Sequence, residues 1–194
     1  MTCGDSDHSA WNGCIMDRVK DYDVKNMAPI QGTTNSYFPA DQSDWCPEQL
    51  MPQSYNWTAL NAKIDAMTAN GNTNQVIGLV WAWHALTPAS PLNAPALTDN
   101  DTRQVIILLT DGLNTQSRWS TSQYEIDVRT RAVCDNIKAA GITIYTILVM
   151  SGSSQVLQDC ASSSDKYFAL TQSGEIVTTF AQIGTALSQL RIAK

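Results

Sequence analysis

Three stretches of the chain consist almost entirely of apolar residues. The first runs through VIILL to Thr110 and stops at Asp111-Gly112. The other two are ITIYTILVM, residues 142–150, and KYFAL, residues 166–170. A continuous run of Val, Ile and Leu bounded by a turn is typical of a strand buried on both faces, as parallel sheets require. We therefore predict three parallel strands.

Around these runs, apolar residues recur at intervals of three and four, the spacing of an amphipathic helix. Polar or glycine-containing breaks separate the helices. Thr73 or Asn74 is placed to cap the second helix, and Gly141 is placed to end the third. The predicted helices cover residues 57–69, 74–86, 124–140, 155–161 and 174–190.

The order of these elements predicts the fold class. Strands that alternate with helices through right-handed crossovers form an α/β fold with a doubly wound, mostly parallel sheet. Three strands are few for such a sheet. We therefore expect the first strand or strands to be lacking, so that they precede residue 1 or lie within the N-terminal segment.

Residues 1–53 show no sustained hydrophobic period and are rich in Asp, Asn, Ser, Gly and Pro. Aromatic residues are dotted through this segment, which makes it too apolar to be called disordered. We predict an irregular insertion or elaboration at 1–53, followed by an α/β domain at 54–194. The aromatic residues that would help to hold the segment are Trp11, Tyr22, Tyr37, Phe38 and Trp45.

Composition and charge narrow the range of partners. The chain has 194 residues, is 43% hydrophobic, and carries a formal net charge of -6 with 12 scattered Lys and Arg. This balance argues against nucleic acid or anionic lipid as a partner. No apolar run approaches the roughly 20 residues of a bilayer-spanning helix, and no signal peptide is recognisable. We expect no membrane contact by this chain itself; a membrane anchor upstream of it is implied only by the family resemblance described below.

The five cysteines indicate whether the protein lies inside or outside the cytoplasm. None forms a CxxC pair, and no histidine stands at a spacing that suggests a zinc site. Cys134 and Cys160 flank a predicted strand and form one plausible disulfide, Cys14 and Cys46 form another, and Cys3 stays unassigned. Disulfides would place the protein outside the cytoplasm. The alternative is five buried or inert thiols in a cytosolic protein.

Three polar clusters lie at residues 70–74, 110–114 and 151–154. They could meet at the carboxyl edge of the sheet, where open α/β folds place their ligands. A hydroxyl from the first cluster and the Asp111 carboxylate suit a hard divalent cation such as Mg²⁺. The plainer reading is that Asp111 forms a turn before glycine and a residue of the first cluster caps a helix. His84 lies on an apolar stripe and is more often a satisfied core or rim residue than a ligand.

The sequence contains few of the motifs that are typical of enzymes. The sequence has no GxGxxG, no GxxxxGK[ST] and no GxSxG, and nothing positions a histidine beside Ser151–Ser154. We therefore expect the protein not to be an enzyme. A metal-assisted hydrolase would need a general base near Asp111, and the sequence supplies none.

Two loops carry a resemblance to a known family. GNTN at 71–74, which opens a helix, and the strand ending LLTDGLN are similar to the second and third metal-site loops of von Willebrand factor type A domains, which have a Rossmann-like sheet. The closer resemblance is to the C-terminal part of TadG-like proteins of bacterial Flp (tight-adherence) pilus assembly. It extends over nearly the whole chain, from WNGC and MDR to CDNIKAAGITIYT and FAQIGTALSQLRIAK.

The resemblance implies a metal-ion-dependent adhesion site at Thr73 and Asp111, with Mg²⁺ or another divalent cation. The first loop of the family pattern, DxSxS, is missing. The nearest text, Asp5–Ser9, has Asp7 where the first Ser belongs, so we expect Met1 to be an internal or artificial start.

The leading hypothesis is a non-enzymatic protein-binding or adhesion module of the bacterial cell envelope that serves pilus assembly. Its partner protein would complete the metal's coordination, and Trp119 is a candidate contact residue. The alternative is a metal-independent scaffold of the same fold, and a metal-assisted hydrolase is the third reading.

Overall fold

A computed structural model of the chain describes residues 9, 11–42, 46–99, 102–149 and 154–189. Five strands and five α-helices lie in these ranges. The strands are β1 (Cys14–Ile15), β2 (Ala40–Asp41), β3 (Val105–Thr110), β4 (Thr143–Val149) and β5 (Tyr167–Leu170). The helices are α1 (Trp57–Asp65), α2 (Gln75–His84), α3 (Gln123–Ala139), α4 (Ser154–Cys160) and α5 (Ile176–Gln189).

The main sheet has the strand order β3-β4-β5 and is entirely parallel. Val105 pairs with Thr143, and the register continues to Thr110 opposite Leu148. The central strand β4 is buried from Ile144 to Val149, as its uninterrupted apolar sequence predicts. The predicted α/β class and the three parallel strands are confirmed.

Helices cover both faces of this sheet. Successive side chains of a strand point to opposite faces, so β4 supplies two layers. Ile144 and Leu148 join the larger cluster with residues of α2, α3 and α4, whereas Tyr145, Ile147 and Val149 pack with Ile183 of α5. The doubly wound arrangement is confirmed.

Strand β3 forms one edge of the sheet in the described part of the chain. Its sequence is that of an interior strand, yet Leu109 is 42% exposed and the side chains of Val105 and Ile107 are partly buried. This fits the expectation that the sheet lacks further strands.

Local capping follows the sequence signals. The Asn74 side chain caps α2 by accepting a hydrogen bond from the Val76 amide, which decides between the two predicted caps. Helix α3 ends where Gly141 adopts a φ of +79° and its amide donates to the Lys138 carbonyl. That left-handed conformation is one that glycine adopts without strain.

The N-terminal segment is mostly irregular, as predicted, but contains a small antiparallel pair, β1 with β2. The structure contains the disulfides Cys14–Cys46 and Cys134–Cys160, so both predicted pairings are confirmed. Cys3 lies outside the described residues.

Helix α1 corrects one expectation. Its predicted apolar stripe buries no residue, and Ile64 is 61% exposed, as is Met67 just beyond the helix. The spacing of apolar residues reports a local preference for helix, whereas burial needs a second layer to pack against. No helix in the described ranges is long and apolar enough to cross a bilayer.

Candidate functional site

Two of the three predicted polar clusters meet at the carboxyl edge of β3. The loop before α2 and the loop after β3 are joined through Thr73 and Thr115. The Thr73 amide donates to Thr115 Oγ1 over 2.8 Å, and the Thr115 amide donates to the Thr73 carbonyl over 2.9 Å. Next to them, Asn72 Nδ2 donates to Gln116 Oε1 over 2.7 Å. This contact confirms the predicted meeting of the two loops.

Asn114 is the buried centre of this junction, with 2% of its surface exposed. Its Oδ1 accepts from the Gln75 amide over 2.9 Å, which satisfies an amide in the first turn of α2. Its Nδ2 donates to Asp127 Oδ1 at 2.8 Å and Thr130 Oγ1 at 3.1 Å, both on α3. Asn114 therefore ties the β3 loop to two helices. Asn114 belongs to the LLTDGLN motif, but the sequence alone does not indicate this role.

Asp111 lies at the tip of the β3 loop and is exposed. Thr110 Oγ1 accepts from the Gly112 amide over 3.2 Å, so the hydroxyl of its neighbour holds the turn. Neither the Asp111 carboxylate nor the Thr73 hydroxyl pairs with another residue that the structure describes. Both oxygens face no competing protein donor among those residues.

The donors on this edge fit a divalent cation in part. A carboxylate and a hydroxyl are the hard oxygen ligands that Mg²⁺ prefers, and Mg²⁺ commonly keeps several waters beside one or two carboxylates. However, no group of three or more His, Cys, Asp or Glu residues that could hold a metal ion occurs among the described residues. Thr73 and Asp111 stay predicted ligands.

The N-terminal segment docks on the same loops, a contact that the sequence did not predict. Asp17 Oδ2 accepts from Asn74 Nδ2 over 2.7 Å and from the Arg118 amide over 3.1 Å. Arg118 Nη1 donates to the Asp17 carbonyl over 2.9 Å, and Trp119 Nε1 donates to the Arg18 carbonyl over 3.0 Å. Two consecutive residues thus hold both loops of the candidate site.

Asp17 is itself buried, with 4% of its surface exposed. Burial raises the pKa of its carboxyl, and the hydrogen bonds from Arg118 and Asn74 oppose that rise. Oδ1 has no hydrogen-bond partner among the described residues. It borders a small cavity beside Ser117 and Glu125 with room for about one water molecule.

The surface of the loop pair is partly apolar. Trp119 is 40% exposed and Leu113 is 39% exposed. The Arg118 guanidinium lies 4.5 Å from the centre of the Trp119 ring, a cation–π arrangement that fixes the indole. Trp119, the candidate contact residue, is thus partly exposed beside the site, and its indole nitrogen is anchored.

A second buried group lies below the site. His84 is fully buried, which confirms the predicted core position, but neither ring nitrogen has a hydrogen-bond partner among the described residues, so the expectation of a satisfied histidine was wrong. It packs against Phe38 and Trp81. Burial and then the charge of Arg18 lower the pKa of His84 to about 4. Aromatic packing, rather than hydrogen bonding, places this ring.

Two earlier expectations fall outside the described residues. Of the third polar cluster, 151–154, only Ser154 is described, as the first residue of α4. Of the DxSxS-like stretch Asp5–Ser9, only Ser9 is described.

No family model matches the chain, and no curated protein matches it. Among solved structures it is similar to proximal thread matrix protein 1 of the mussel byssus, with 20% identity and a TM-score of 0.46, over 65% of this chain and 28% of that one. The same protein with zinc occupying its MIDAS motif aligns at 20% identity and a TM-score of 0.41, over 69% and 28%. The chain thus spans less than a third of those proteins' length. A likeness this partial assigns neither family nor function.

Proposed function

We propose that this chain is a non-enzymatic, protein-binding module whose contact face is the carboxyl edge of the sheet. The observation that supports this most is the hydrogen-bonded pair of loops. It presents an exposed carboxylate at Asp111 beside the partly exposed Leu113 and Trp119. Aromatic anchors held in place and ringed by polar groups are typical of protein contact sites.

The finer part of the proposal is a divalent cation at this face. Asp111 and Thr73 would supply two oxygen ligands, and water with a carboxylate of the partner protein would supply the others. A single protein carboxylate favours Mg²⁺ over Ca²⁺, which takes more ligands. With so few contributors from this chain, the ion alone would bind weakly.

The cellular setting is proposed from the sequence resemblance and the two disulfides. Disulfides persist in oxidising compartments, which suits an extracytoplasmic protein. The resemblance to TadG-like proteins suggests the bacterial cell envelope and Flp pilus assembly. The partner would then be a component of the pilus-assembly machinery or of the cell surface.

The competing role is a metal-independent scaffold. The observation that favours it is that the loop junction is built from Thr73, Asn114 and Thr115 and does not use the Asp111 carboxylate. Binding of the ion distinguishes the two roles.

The test is a calorimetric titration of Mg²⁺, and separately Ca²⁺, into the wild-type chain and Asp111→Ala. Asp65→Ala, which removes an exposed carboxylate at the end of α1, is the matched control. Saturable binding that Asp111→Ala abolishes and Asp65→Ala leaves intact would support the cation site. Absence of binding to the wild-type chain would leave the scaffold role.

A further inference from the structure

Asp17 differs from an ordinary buried acidic residue because its hydrogen-bond donors lie on two separate loops. Its carboxylate receives one hydrogen bond from each loop of the candidate site, from Asn74 and from Arg118. The partners lie 57 and 101 residues away in sequence. No other side chain among the described residues bonds to both loops from outside them.

We propose that Asp17 is a positioning residue of the binding face, and that the N-terminal segment is part of the binding unit. This inference rests on the binding function proposed above. Asp17 sets the separation between the α2 loop and the β3 loop, and the adjacent Arg18 carbonyl sets the direction of the Trp119 indole. The exposed contact groups are thereby held in one arrangement before a partner arrives.

The chemistry of these bonds suits such a role. A hydrogen bond to a carboxylate is stronger than one between neutral groups, and this one is sheltered from water by the burial of Asp17. Arg118 binds Asp17 twice, through its amide to Oδ2 and through its guanidinium to the carbonyl. Two bonds in different directions restrict rotation of the loop as well as its distance.

Asp23 supplies the internal comparison. It lies six residues further along the same segment and is buried to the same extent, 4% exposed. Its carboxylate pairs with Arg129 on α3 and contacts neither site loop. Loss of Asp23 would therefore weaken the docking of the segment without altering the loops directly.

The experiment measures hydrogen exchange of the Arg118 amide and of the Trp119 indole by NMR. It compares wild type, Asp17→Ala, Asp17→Asn and the control Asp23→Asn, with slowly exchanging β4 amides as the check on folding. We expect at least tenfold faster exchange at both groups in Asp17→Ala. Asp17→Asn, which keeps an oxygen acceptor but loses the charge, should lie between wild type and Asp17→Ala. Asp23→Asn should stay within about threefold of wild type.

A second variant covers failure of Asp17→Ala to fold. Asn74→Ser still offers an oxygen to cap α2 but is too short to bond to Asp17, so it should also speed exchange at Arg118. Exchange in Asp17→Ala within twofold of that in Asp23→Asn would overturn the proposal.

Mg²⁺ titration of the same variants separates this inference from the proposed function. If wild type binds Mg²⁺, Asp17→Ala should weaken binding at least tenfold although Thr73 and Asp111 are intact. If wild type binds no Mg²⁺, the cation part of the proposed function fails. The exchange measurement then still decides whether Asp17 positions the loops.

Discussion

The α/β part of the molecule and its N-terminal segment are held by different forces. Around β4, aliphatic side chains from both faces are buried between helices, and Val133, Ile137 and Ile144 have no exposed surface. Residues 11–42 add Val24 and Phe38 to that packing and are otherwise held by directional polar contacts. Within the segment, Arg18 donates to the carbonyls of Lys25 and Met27. Asp23 joins the segment to the body by pairing with Arg129 of α3.

The two regions differ in how precisely their contacts fix the positions of neighbouring groups. Apolar burial is non-directional and tolerates small shifts, whereas hydrogen bonds to a buried charge fix distance and angle. The candidate site lies at the boundary between the two regions. Its strand and helix come from the core, and the arrangement of its loops is set by the segment.

The largest expected effect comes from removing the central anchor of the segment. Arg18 is fully buried, and Arg18→Ala would leave several carbonyls without donors and open a cavity. We expect a loss of about 3 to 5 kcal/mol in the free energy of unfolding, measured in urea. Arg131→Ala, which removes a partly exposed pair with Asp159, should cost less than about 1 kcal/mol. Equal losses of unfolding free energy in Arg18→Ala and Arg131→Ala would contradict the view that Arg18 is a central anchor of the segment.

The core disulfide should come next. Cys134 and Cys160 are separated by 26 residues, and closing a loop of that size contributes about 3.5 kcal/mol on the chain-entropy estimate. The double variant Cys134→Ala/Cys160→Ala should therefore lower the unfolding midpoint in urea, with an m-value that is equal or larger because the unfolded chain is less compact. Stability equal to that of wild type would show that the disulfide adds nothing to the packing and polar contacts between α3 and α4.

A third, smaller effect depends on pH. Burial and then Arg18 lower the pKa of His84 to about 4, while an unfolded histidine titrates near ~6.5. Between these values the unfolded chain binds a proton that the folded chain does not. Stability should therefore fall as the pH drops from 6.5 to 4, by at most about 3 kcal/mol. His84→Leu should flatten this dependence, measured as unfolding free energy at pH 7 and 4.5. An unchanged slope would contradict the assignment to His84.

The smallest effect is expected on α1. Ile64 is 61% exposed, so Ile64→Ser should change the free energy of unfolding by no more than about 0.5 kcal/mol. Ile137→Ser, at a fully buried position of α3, is the contrasting control and should cost several-fold more. A large loss at Ile64 would mean that the stripe of α1 is covered in solution.

The sequence predicted the elements that depend on local pattern. The parallel strands and the helices were predictable from spacing and residue type. The cap of α2 was narrowed to Thr73 or Asn74, and the two disulfides were plausible pairings that the structure confirms. The place of the Asp111 loop followed from strand polarity, because open α/β sheets bind ligands at the carboxyl ends of their strands. The Thr73 loop lies between two helices, so strand polarity did not fix its contact with that edge.

The missed features depend on directional contacts between distant residues. Nothing in the sequence around Asp17 indicates a hydrogen bond to Arg118, 101 residues away. The buried network of Asn114 with Asp127 and Thr130 likewise needs the packed helices before it can form. The exposure of α1 was missed because periodicity does not report whether a second layer is present.

The most direct test of the binding face is to locate an ion on it. Mn²⁺, a paramagnetic substitute for Mg²⁺, can be titrated into the ¹⁵N-labelled wild-type chain while amide signals are followed by NMR. The account predicts that the signals of Thr73, Asp111 and Gly112 broaden first and that Asp111→Ala abolishes the effect. Broadening that begins elsewhere, such as at Asp159 or Asp165, or none at all, would contradict the ion-dependent binding face.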